Sequence, residues 1–350
     1  MKKITKNIVL CSFIVLVIFM GIVLISDCFQ RGKRFEGNVP NVIILVWSGV
    51  RLEESLGDKT GQYIPHLKNE LLPEGTLYSN MYDYNYEFHV CTVVAMLSGN
   101  PCYHYNYDLH RVLAEYPTVF QYARKKYKDS ASKYWEIGSF GAYTAFCDRP
   151  RFRENTRPCV LRASLFPYPA EVDKLLCNEI LPLLNPEEKL YYDVMSDKEL
   201  LYFWDAIDEV DFRMFKKVFY TYKPRIMLFN INSLDISHVA HWAKYVTTLR
   251  RTDEITWEIW NMIQEDPFYR NNTYLIVTPD HERNRYFMNH SENNSDNPSH
   301  VWAYLYGPNV YKGKQVDRKT SHLDICNTVA YIMNFDAEYS KGQLLKEAFK

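Results

Sequence analysis

The chain has 350 residues, 47% of them hydrophobic, and its 41 basic and 42 acidic side chains leave a net charge of -1. That length and apolar content suffice for a substantial core in one large domain, although length alone also fits two smaller ones. The charges are interspersed, which excludes an acidic tail or an extended nucleic-acid surface, so bulk electrostatics names no partner.

The N-terminus is a distinct kind of sequence. Lys2, Lys3 and Lys6 precede an uncharged apolar run from Ile8 to Ile25. As a helix those residues would extend roughly 27 Å, close to the hydrocarbon thickness of a bilayer. The run ends Ser26-Asp27-Cys28, without the small-residue site of a cleaved signal peptide. Residues 1–28 are therefore read as an uncleaved signal anchor, 29–40 as a connector and 41–350 as the soluble domain. Arg31, Lys33 and Arg34 place positive charge on the far side as well, which blurs orientation. The expectation is a membrane-anchored protein with its soluble domain outside the cytoplasm. The eight cysteines show no C-x-x-C spacing, which argues against a zinc ribbon. Cys91 with Cys102, and Cys147 with Cys159, are candidate disulfides in an oxidising compartment.

Asn41 to Trp47 is a continuous apolar run closed by Ser48-Gly49, the pattern of a strand buried on both faces. Similar runs recur at Tyr134 to Ile137, Arg225 to Ile231, Thr273 to Thr278 and Trp302 to Tyr306. Helical patterns occupy Glu87 to Ser98, Asp197 to Tyr220 and His241 to Gln264, the last stopped by Asp266-Pro267. The Arg- and Pro-rich stretch from Arg149 to Pro169 reads as a long irregular loop. Strands alternating with helices predict an α/β fold with a doubly wound, mainly parallel sheet, whose ligands gather beyond the carboxyl ends of the strands.

Polar, metal-ligating residues follow several of those strands. Asp280-His281 stands at the end of the Thr273 run, where a carboxylate and an imidazole can share one divalent ion or bridge two. A capping Asp with a hydrogen-bonded His is the competing structural reading. Asp235-Ile236-Ser237-His238 follows the Met227 run, and an Asp and His three apart at a helix start share one face. His241, a turn further on, is a possible ligand or outer donor. Two such clusters at equivalent strand ends point to a divalent-metal site.

The order of an apolar strand ending in a Gly-containing turn, a small-residue helix ending Leu97-Ser98-Gly99, an Asp-x-x-His cluster and Val277-Thr278-Pro279-Asp280-His281 with a late His resembles the alkaline phosphatase superfamily. That group includes sulfatases, phosphodiesterases and cofactor-independent phosphoglycerate mutases. The resemblance runs from about Asn41 to Phe335. It extends to Ser321 through Thr328, which looks like the helix that closes the domain in many sulfatase-like chains. It implies that Asp235, His238 and His290 hold one metal while Asp280 and His281 hold another, with His300 in reserve for His290. The ions would be Zn, Mn, Mg or Ca, and the partner an anionic phosphate or sulfate ester.

Two departures from that pattern concern the same half of the site. Ser48 stands where the family places an Asp after the first strand; Glu53 or Glu54 are nearby carboxylates that could compensate. Counting ten residues back from Gly99, to the family's nucleophile, gives His89 rather than Ser, Thr or a formylglycine-forming Cys; Cys91 and Thr92 lie close by. The Gly-Arg that commonly follows Asp-His in the family is Glu282-Arg283 here, and Arg283 is a candidate contact for an anionic substrate. The resemblance implies a metal-dependent hydrolase of phosphate or sulfate esters with a degenerate second metal site. The alternatives are an inactive binding or scaffolding member of the fold and a phospho-headgroup transferase acting on lipid or glycan.

Overall fold

The protein is described from a computed structural model that covers residues 39–85, 89–102, 114–138, 161–163, 204–237, 241–283 and 298–350. The N-terminal anchor, His238, His290 and the Cys147–Cys159 pair lie outside the described residues. Among those described, no helix is long and apolar enough to cross a membrane.

The strands are β1 (Asn41–Trp47), β2 (Thr76–Asp83), β3 (Tyr134–Ile137), β4 (Leu161–Ala163), β5 (Ile226–Ile231), β6 (Thr273–Pro279), β7 (Ser299–Tyr306), β8 (Lys314–Val316) and β9 (Thr320–Ser321). The helices are α1 (His89–Ser98), α2 (Val119–Tyr127), α3 (Trp204–Tyr222), α4 (Ser233–Ser237), α5 (Trp242–Glu265) and α6 (Asp324–Ile332). The sheet runs β4-β3-β5-β1-β6-β7-β2-β8, with β9 paired to β2. From β4 to β6 every pairing is parallel, while β7 is antiparallel to both β6 and β2. This is the α/β, mainly parallel sheet that the alternating pattern predicts. Its reversed strand carries a feature the pattern does not show, because a buried run reads the same in either direction.

β1 is central, and all seven of its residues are buried. That is why its sequence shows no alternation: neither face meets solvent. Trp47 sits edge-on to Trp302, their ring centroids 5.4 Å apart. Each indole N–H finds a hydroxyl, Trp47 on Thr256 at 2.9 Å and Trp302 on Ser55 at 3.1 Å. Large aromatic surface is thereby buried without an orphaned donor.

Two expectations need correction, and one strand was not foreseen. Leu161–Ala163 pairs with β3 and so interrupts the stretch read as irregular loop. β2 appears in no sequence-based prediction, since Thr76 to Asp83 mixes polar and aromatic residues as a strand near the sheet edge does. Finally, helix α6 starts at Asp324, and Thr320–Ser321 is strand rather than the head of that helix.

Candidate active site

Trp47 is in register with Ile231 on one side and Pro279 on the other. The three central strands therefore stop at one level, and Ser48, Asn232 and Asp280 leave the sheet along the same edge. The turn after β1 depends on Gly49, whose φ of 73° is the left-handed region that a Cβ disfavours. That conformation accompanies an amide N–H donating to Asp280 Oδ1 at 2.9 Å.

Asp280 is buried and surrounded by donors. Oδ1 accepts from the amides of Gly49 and of His281, the latter at 2.7 Å. Oδ2 accepts from Ser48 Oγ at 2.9 Å and lies 2.5 Å from His89 Nδ1. His281 Nε2 stands a further 3.3 Å from Oδ2. Burial alone would raise the carboxyl pKa, but the charge of His281 and the bond and charge of His89, with the Gly49 amide, outweigh it and hold the group well below the usual carboxylate range. For His89, burial would lower the pKa. The hydrogen bond and charge of Asp280, aided by Asp235 and Glu136, instead raise it above the ordinary histidine value.

Asp235 reaches the site from the other flank of β1. The turn from β5 into α4 is fixed by buried Asp208, which accepts from the amides of Asn232 at 2.9 Å and Ser233 at 3.0 Å. Asp235 Oδ1 then lies 3.6 Å from His281 Nε2. Of the residues in the two clusters, Asp235, Asp280 and His281 come together here, while His238 lies outside the described residues. Exposed His241 has an extended backbone and caps α5 by accepting from the Lys244 amide at 3.3 Å, so it is not a helical residue stacked on Asp235. The reserve candidate His300 lies on β7, its Nε2 3.1 Å from the Ser79 carbonyl and its ring stacked on Tyr82.

The three candidate nucleophiles separate clearly. His89, at the start of α1, touches Ser48 and Asp280, and its buried Nε2 has no hydrogen-bond partner among the described residues. Cys91 is buried, and its hydrogen bond with Cys102 together with burial pushes the thiol pKa upward, away from thiolate. Thr92 is buried and donates to Asp83 Oδ2 at 2.8 Å. Asp83 belongs to a second buried group, with His322 Nδ1 3.6 Å from its Oδ1 and His322 Nε2 3.3 Å from Thr278 Oγ1. Sequence reasoning missed this group. The available signal was an acidic Asp83 set between Tyr82 and Tyr84, but β2 was not recognised as a strand.

Arg283 is neither a solvated loop residue nor open to the edge of the sheet. It is 2% exposed, paired with Glu54, and its guanidinium lies 4.7 Å over the Tyr245 ring. Glu54 is committed to Arg283 and Arg51, and Glu53 to Arg51, so neither stands in for the Asp that Ser48 replaces.

Whether the residues fit the metal ions of the family pattern can be judged at Asp280. Two ligands of one tetrahedral zinc, each bonded at about 2.0 Å, lie roughly 3.3 Å apart. His89 Nδ1 and Asp280 Oδ2, at 2.5 Å, are hydrogen-bonded to each other and do not share an ion in this arrangement. Among the described residues no group of three or more His, Cys, Asp and Glu side chains is placed to hold a metal. The ligand set implied around Asp235 includes His238 and His290, which lie outside those residues.

No family model and no curated protein sequence matches the chain. Solved structures do. A mutant of the alkaline phosphatase PafA superposes with a TM-score of 0.59 at 10% identity, over 90% of this chain and 100% of that one. The phosphonate monoester hydrolase SpPMH from Silicibacter pomeroyi gives 0.58 at 12%, over 88% and 76%. The lipoteichoic acid synthase LtaP from Listeria monocytogenes gives 0.56 at 11%, over 87% and 74%. The fold is that of the alkaline phosphatase superfamily.

Proposed function

We propose that this chain is a membrane-anchored, divalent-metal-dependent hydrolase that acts on a phosphate or sulfate ester at the edge where β1, β5 and β6 end. The observation that supports it best is the convergence there of Ser48, His89, Asp235, Asp280 and His281 from four separate segments. Buried ionisable groups are costly to gather unless they are paired, and a concentration at strand ends is where sheets of this type bind ligands.

Asp235 with His238 and His290 would hold the ion, which when bound supplies positive charge against a nonbridging ester oxygen. The remaining chemistry falls to the chain's own groups. Asp280 fixes the His89 ring through Nδ1, so Nε2 is the atom available to hydrogen-bond or attack the ester. Attack requires that Nε2 carry no proton, and the raised pKa of His89 works against this. Hydrogen bonding to an ester oxygen is therefore its better supported role. The apolar run in residues 1–28, read as an anchor, supports a membrane location with the domain outside the cytoplasm.

The test is hydrolysis of phosphate monoesters, phosphate diesters and aryl sulfates by the full chain in the presence of Zn, Mn, Mg or Ca. Turnover with at least one ion is expected, and inactivity of folded protein across the panel would overturn the reading. The donor-filled state of Asp280 favours a second reading, a binding member of the fold without turnover. That reading predicts saturable binding of an ester together with no product.

A further inference from the structure

Each carboxylate oxygen offers about two acceptor positions, so a carboxylate that meets four well-placed donors has little left for a cation. Asp280 meets four: the Gly49 and His281 amides on Oδ1, and Ser48 Oγ and His89 Nδ1 on Oδ2, all between 2.5 and 2.9 Å. These donors are not incidental neighbours. The Gly49 amide reaches Asp280 from a residue with positive φ, and the His281 amide belongs to the adjoining residue. Ser48 and His89 are the two positions at which the sequence departs from the family pattern, and they touch each other at 3.0 Å as well as Asp280. The loss of the carboxylate at 48 and the arrival of the ring at 89 are therefore one structural change.

We propose that the Ser48 hydroxyl and the His89 ring together build over the Asp280 half of the site, so that Asp280 serves as a hydrogen-bond acceptor for the protein and binds no divalent cation. This rests on reading the site as that of an alkaline-phosphatase-fold hydrolase, and it assigns His89 a positioning role at Asp280. A cation entering at Asp280 would have to break the His89 bond and expose a buried ring nitrogen without its acceptor, which opposes entry. The site thus takes at most the ion of the Asp235 half.

The full chain, purified and stripped of metal, is titrated with zinc and with manganese by calorimetry, and bound metal is counted by mass spectrometry. The comparison is with the double variant Ser48→Asp/His89→Ala, which restores a carboxylate and removes the ring. The variant is expected to take up one more ion per chain than the wild type. In zinc-soaked wild-type crystals, anomalous diffraction is expected to show no ion within bonding distance, about 2.0–2.3 Å, of the Asp280 carboxylate. A peak there overturns the proposal, as does a folded double variant that binds no more metal than the wild type. If the double variant fails to fold, the wild-type diffraction decides alone. Neither readout involves turnover, so a failed hydrolysis panel leaves this test standing, and a failure here leaves the panel standing.

Discussion

His89 Nδ1 lies 2.5 Å from Asp280 Oδ2, inside a region where both side chains are almost wholly buried. Removing one partner of a buried, hydrogen-bonded pair costs about 3–5 kcal/mol, because the other is left without its counterpart. Asp280→Asn should therefore lower the urea midpoint markedly, whatever the protein's activity. The carboxyl is held well below the usual range, so its stabilisation is fully present above about pH 4, the unfolded value, and is lost only as pH falls through the folded value. Equal stability of variant and wild type at pH 7 would show that the pair contributes little.

Arg283 is predicted to act on stability and not on substrate. Its guanidinium is enclosed between Glu54 and Tyr245. Arg283→Met should cost about 3–5 kcal/mol, and the double variant Glu54→Gln/Arg283→Met should recover much of it, since no unpaired charge remains. A raised KM with an unchanged unfolding midpoint would instead assign Arg283 to the ester.

The Cys91 and Cys102 thiols are hydrogen-bonded to each other. Mild oxidation of the folded chain should join them, detected as a crosslinked peptide by mass spectrometry. The crosslink should add about 2–3 kcal/mol of stability if it is unstrained. Recovery of both as alkylated thiols after oxidation would show that their geometry does not permit the bond.

Asp253 on α5 provides a pH signature away from the site. It accepts from the amides of His66 and Leu67 at 2.8 Å each, yet burial pushes its pKa from 3.8 up to about 6. A folded value above the unfolded one means that its stabilisation is complete below about pH 4 and is lost as pH rises through 6. The displacement corresponds to roughly 3 kcal/mol. Relative to Asp253→Asn, the wild type should lose stability by up to that amount between pH 4 and pH 7 in urea titrations. A pH-independent difference would count against it.

Much of this molecule was legible in its sequence, for reasons specific to each element. β1 and β6 carry unbroken apolar runs with polar residues immediately beyond, so both the strands and the level of the site could be placed. The direction of β7 could not, because hydrophobicity carries no information on strand polarity. His89 was reached by counting from Gly99, but its partner was not, since a contact across 191 residues is set by strand register and leaves no local pattern. Arg283 shows the opposite failure: a charged residue after Asp-His suggests solvent or substrate, and only tertiary packing supplies the Glu54 that lets it be buried. His241 caps α5 with an extended backbone, a position that no neighbouring Gly or Pro announces in the sequence.

Helix α1 joins two acidic centres that the sheet holds apart. Its first residue, His89, is fastened to Asp280 beyond β6, and Thr92, less than one turn along, is fastened to Asp83 at the end of β2. Between those strands runs the reversed β7, so the helix bridges a gap that the sheet's own hydrogen bonds span only through that strand. With both ends of its opening turn tethered to buried carboxylates, α1 fixes the place of His89 beside Asp280 from the β2 side of the sheet as well as from β6.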